Sequence, residues 1–70
     1  MRFSRHAKNN ARWLRVSIAE AERVIEDPIQ MDRDGSGRPR FTGKIRGIYV
    51  RVVVALDDPD LVVTIHDRRQ

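Results

Sequence analysis

His66, Arg51 and Thr42 are the residues of this chain best placed to do chemistry together. An imidazole takes and releases protons near neutral pH, its ordinary pKa being ~6.5. A guanidinium donates two parallel hydrogen bonds to a phosphate. Side by side on an open sheet face, a cation, a hydroxyl and an imidazole suit a phosphate backbone better than a core. His6, in the first turn of an expected helix, could serve as a second acid/base or a phosphate donor, since helix amino ends favour anions. It could equally bond a neighbouring carbonyl and tie the helix to the rest of the fold.

The strands from Phe41 to His66 bring the first three together. Arg46-Gly47 has the form of a two-residue hairpin turn with Gly in the second central place. Closing on it pairs Ile45 with Ile48, Gly43 with Val50 and Phe41 with Val52. The opposite face then pairs Lys44 with Tyr49, Thr42 with Arg51 and Arg40 with Val53. A slip of one residue would destroy this sorting of apolar from polar. Asp57-Asp58-Pro59-Asp60 reads as a second turn, because Asp bonds its own backbone and Pro fixes φ. It sets Leu56 against Leu61, Val54 against Val63 and Val52 against Ile65, with Val53 facing Thr64 and Arg51 facing His66.

On the polar face, Arg40 and Lys44 flank Thr42 and read as phosphate-backbone contacts, or as edge charge that discourages aggregation. Tyr49 could stack on an unpaired base, or cover an aliphatic stem such as that of Lys44. Thr64 could orient a neighbour or simply favour the strand, and Arg12 and Arg15 extend a positive rim. No metal-ligand set is evident, with two His far apart in sequence. The run from Asp32 to Gly37 partly matches a calcium loop but lacks its closing bidentate Glu. No phosphate-cradling Gly loop or Ser-His-Asp arrangement is present, and no cofactor is implied.

Two helices precede the strands. Ser4 is placed to cap a first helix, Arg5 to Leu14, whose stripe is Ala7, Ala11 and Leu14, with Trp13 widening it or shielding one end of the core. Ser17-Ile18-Ala19-Glu20 is a capping box that opens a second helix, Ile18 to Glu26, with Ile18, Ala21, Val24 and Ile25 turned inward. Asp27-Pro28 stops it. The short Arg15-Val16 link implies an antiparallel helical hairpin. Ile29-Gln30-Met31 is a brief strand candidate, Asp32 to Pro39 a mobile loop, and Asp67 to Gln70 a frayed tail. The plan is α+β: a two-helix hairpin on one face of a three- to four-stranded antiparallel sheet.

Seventy residues make one domain, 1–70, with a net charge of +4 and no Cys. A core of this size supplies only ~3–5 kcal/mol of net stability, so help from a partner chain or a homodimer is plausible. Without Cys there is neither a disulfide nor a thiolate metal site. No apolar run approaches the ~20 residues of a membrane span, and the first residues lack the apolar stretch of a signal peptide. A soluble cytoplasmic protein with no membrane partner is the expectation. Charge is uneven: residues 1–15 carry Arg2, Arg5, Lys8, Arg12 and Arg15 with no acid. Such clustering attracts polyanions, or merely solvates a small domain.

Phe3-Ser4-Arg5-His6-Ala7-Lys8, the Arg12-to-Arg15 step, the Ser-capped helix ending Glu26-Asp27-Pro28, and the closing Val63-Thr64-Ile65-His66 together form a pattern. It resembles a family of small bacterial and phage proteins akin to the BrnT and RelE/ParE toxins, and the resemblance covers nearly the whole chain. The chain departs from that family at Val16, where the inter-helix turn usually has Gly, and at His66, where the last strand often ends in an aromatic residue. The resemblance implies a compact sheet backed by two helices and a metal-independent, mRNA interferase-type endoribonuclease of a toxin-antitoxin system. In such cleavage a base takes the 2′-hydroxyl proton, that oxygen attacks the adjacent phosphorus, and cations stabilise the charge that develops. It points to His6, Thr64 and His66 as working positions, to RNA (including ribosome-associated mRNA) as target, and to a cognate antitoxin as partner. The alternatives are a non-catalytic nucleic-acid- or partner-binding module of the same fold, or a poison of a protein target such as gyrase.

Overall fold

A computed structural model describes residues 1–68. The elements are β1 (Arg2–Phe3), α1 (Arg5–Leu14), α2 (Ile18–Glu26), β2 (Gln30–Arg33), β3 (Pro39–Ile45), β4 (Ile48–Ala55) and β5 (Asp58–Asp67). The strands form one sheet in the order β1-β5-β4-β3-β2.

Both helices start where their caps dictate. Ser4 Oγ accepts from the Ala7 N–H at 3.0 Å, and Ser17 and Glu20 close the reciprocal capping box. Arg15 ends α1 in the left-handed region (φ 58°), sending its N–H back to the carbonyls of Ala11 and Arg12. Small side chains then let the helices approach the sheet closely: Ala7, Ala11 and Ala21 are buried, and a Cβ on Gly43 would lie 2.7 Å from Val24 Cγ2. α1 packs chiefly on β5, and α2 on β3. Between helices and sheet lie Val16, Val24, Val50, Val52, Val54, Val62 and Ile65, with Phe3, Leu14, Ile25, Phe41 and Ile45 packed around them. Each fully buried Val or Ile contributes ~1.5–3 kcal/mol relative to leaving it in water.

The α+β plan therefore holds, but the sheet is five-stranded and mixed rather than three- to four-stranded and antiparallel. The extra strand, β1, runs parallel to the start of β5, pairing Arg2 with Leu61 and Phe3 with Val62. Ser4 secures it, its N–H donating to the Val62 carbonyl at 2.9 Å and its hydroxyl to Val63 O at 3.0 Å. A two-residue strand carries no periodicity from which it could be read. β2 starts one residue later and ends two residues later than expected, and pairs along β3, Gln30 with Thr42 and Asp32 with Arg40.

The first hairpin closes as its turn predicts, with Arg46 and Gly47 both at positive φ (48° and 84°). Closure of the second differs. The turn is Leu56-Asp57 and Ala55 pairs with Asp58, so Leu56 is left exposed instead of facing Leu61. Val54 pairs with Val62, and register shifts on either side of Val54 absorb the difference. Pro59, with no N–H to give a ladder, suits this irregular stretch. Beyond it the expected pairs return: Val53 with Thr64, Val52 with Ile65, Arg51 with His66.

Three further expectations are corrected. Trp13 is 84% exposed and covers no core, and Ile18 is also exposed. The segment expected to be a mobile loop is tied down. The Asp34 carboxylate accepts from the Ser36 and Arg38 N–H groups at 2.9 Å and from Arg38 Nε at 2.7 Å, and Arg33 donates to Gly37 O. Asp67 belongs to β5 rather than to a tail, and the Arg68 N–H continues the ladder to Tyr49 O at 2.8 Å. Arg69 and Gln70 lie outside the described residues.

Candidate nucleic-acid interface

Alternation along the strands turns the core residues to the helices and leaves a second face uncovered. Three rows cross it. Lys44 pairs with Tyr49, beside which Arg68 lies. Next come Gln30, Thr42, Arg51 and His66, then Asp32, Arg40, Val53 and Thr64. The expected row of Thr42, Arg51 and His66 is therefore present, lengthened at one end by Gln30.

The interior of this face is dry at two positions. Thr42 is 2% and Val53 1% exposed. Long side chains on the neighbouring positions, Arg40 and Arg51 above all, are the natural cover, since their aliphatic stems lie along apolar surface while the heads reach water. Thr42, expected as a contact residue, is therefore a buried floor residue of this face.

The cations fall into two groups. Arg40 is engaged: Nε and Nη2 donate to the two oxygens of Asp32 at 2.8 and 2.7 Å. Those bonds, then the nearby charges of Arg40 and Arg51, hold the Asp32 carboxyl below its usual range against partial desolvation, and the same pair raises Arg40. Lys44, Arg51 and Arg68 form no ion pair among the described residues. Lys44 Nζ lies 5.4 Å and Arg68 Cζ 5.5 Å from the centre of the Tyr49 ring, so two cations flank one half-exposed aromatic ring. Arg51 is half-buried, and its Nε is buried without an acceptor. His66 beside it is half-buried, with Nδ1 3.3 Å from the Asp67 carbonyl.

His6 and Arg12 are not part of this face. Both are exposed on α1, which packs against the opposite side of the sheet, and His6 Nε2 lies 3.2 Å from Asn10 Nδ2 one turn on. The structure thus unites His66, Arg51, Lys44, Tyr49 and Thr64, leaves Arg40 on the face but occupied, and separates His6 and Arg12. The pattern reading missed the Asp32 clamp, although β2 opposite β3 would have revealed it. No group of three His, Asp or Glu side chains among the described residues could hold a metal ion. Comparison with protein-family models, with characterised proteins and with solved structures finds no match for the chain.

Proposed function

We propose that this is a toxin-like, RNA-directed protein of the RelE/ParE and BrnT kind, which takes a phosphodiester backbone across the uncovered sheet face. One observation carries the reading: Lys44, Arg51 and Arg68, free of ion pairs among the described residues, share that face with Tyr49 and His66. Lys44 and Arg68 neutralise phosphates while Tyr49 offers a ring to an unpaired base. Arg51 supports the phosphate next to His66. For cleavage, His66 accepts the 2′-hydroxyl proton, the 2′-oxygen attacks phosphorus, and the 5′-oxygen leaves with a proton from solvent. Such a protein works in the cytoplasm and is restrained by a cognate antitoxin.

A second reading, binding without cleavage, is favoured by one feature: the other imidazole, His6, stands on α1 and not beside His66. Expression in a bacterial host, with growth and RNA integrity followed, separates the two. Growth arrest with RNA fragmentation, lost in His66→Ala and Arg51→Ala, is the result expected of the nuclease. Unchanged growth with intact RNA, alongside binding that Arg51→Ala weakens, identifies the binder.

A further inference from the structure

Trp13 is the most exposed large apolar side chain among the described residues, at 84%. A solitary exposed aromatic is common on protein surfaces, but the setting of this one is specific. It lines a hollow of about 510 Å³ with Asn9, Arg12 and Arg15. It also borders a smaller one, about 140 Å³, whose wall includes His66 at the end of β5. The indole therefore stands between the basic surface of α1 and the histidine of the uncovered sheet face. Arg12 and Arg15, like Arg5 and Lys8 on the same helix, form no ion pair among the described residues, and residues 1–15 contain no acid.

We propose that Trp13 is a stacking platform for a base of single-stranded RNA, and that the strand leaves the sheet face past His66 and continues over α1. The proposal rests on the RNA-binding reading given above and extends its footprint. Charge selects the occupant: a ring flanked by unpaired arginines fits a polyanion that carries flat, unpaired bases. An acidic peptide would satisfy the arginines and leave the ring without a partner of its own shape.

Trp13 is the only Trp in the chain, so intrinsic tryptophan emission reports this position alone. The test titrates the full chain with a single-stranded oligoribonucleotide, and separately with an abasic ribose-phosphate strand of equal length. Binding is followed both by Trp13 emission and by anisotropy of an end label. The intact strand is expected to quench Trp13 and the abasic strand to leave it bright. Trp13→Ala should weaken binding of the intact strand about 5- to 150-fold, and Trp13→Phe should restore most of it. Because the side chain is exposed, the Ala variant should unfold at the wild-type denaturant midpoint. RNA binding that Arg51→Ala weakens, with unchanged Trp13 emission and wild-type affinity in Trp13→Ala, overturns this proposal and leaves the sheet-face reading standing. Absence of RNA binding by the wild-type chain overturns both.

Discussion

The two faces of one sheet put the same residue spacing to opposite uses. The helix-covered face is built from Val50, Val52, Val54, Val62 and Ile65, and its tolerance is set by contacts as close as that between Gly43 and Val24. The uncovered face also has a dry floor, Thr42 and Val53, but the positions around it, Lys44, Tyr49, Arg51 and His66 among them, are charged, polar or aromatic and half-buried or exposed. On the first face shape is what matters; on the second it is which cations remain unpaired. Substitutions on one should therefore move stability, and on the other affinity.

The largest effect is expected from neighbours on β5 that point opposite ways. Ile65→Ala should cost about 2–5 kcal/mol of unfolding free energy in a urea titration, whereas His66→Ala should leave the midpoint near wild type. Equal losses would mean that the faces do not differ in kind. Gly43→Ala comes next, at about 1–3 kcal/mol, because a Cβ there must displace Val24. Combining it with Val24→Ala should recover part of the loss, a non-additivity the Gly43 contact requires.

Effects on the uncovered face are smaller in energy and different in readout. Arg51→Ala should weaken RNA binding about tenfold with little change in unfolding. Asp32→Asn should act in the other direction: it frees Arg40 and removes an anion from the face, so affinity should rise a few-fold. A fall would show that the Asp32–Arg40 pair organises the face instead of competing for it. The pH profile is the gentlest probe. Asp32, Asp34, Asp58 and Glu20 all titrate below their ordinary values of 3.8 and 4.5. The hydrogen bonds responsible come from Arg40 to Asp32 and from Arg2 to Asp58. Glu20 takes them from the Ser17 N–H and then Arg46. At Asp34, donors from Arg38 and Ser36 outweigh partial desolvation. Folding lowers these pKa values, so the unfolded chain binds protons more readily. The stability these four carboxylates contribute should be fully present above about pH 5 and be lost progressively as pH falls below it.

Local chemistry made much of the fold legible. Ser4 and Ser17 mark both helix starts, and the Arg46-Gly47 turn fixes the register of β3 on β4. In the sequence the Arg51–His66 pair depends on a four-residue loop, and that loop does not form. The shorter Leu56-Asp57 turn and the register shifts around Val54 offset each other, so a correct row followed from an incorrect turn. Features that depend on tertiary approach stayed hidden. A two-residue parallel strand has no pattern, the Asp32 clamp needs β2 beside β3, and helical spacing cannot say that Trp13 overshoots the core. The resemblance and its place in the first turn of a helix single out His6, but the side of the sheet on which α1 packs decides what it can touch.

The central claim, that the uncovered face binds RNA through its unpaired cations, is tested most directly by the salt dependence of RNA affinity. With Lys44, Arg51 and Arg68 each meeting a phosphate, raising monovalent salt from about 50 to 200 mM should weaken binding of a single-stranded oligoribonucleotide at least about twentyfold. No binding at the lower salt, or an affinity indifferent to salt, would contradict it.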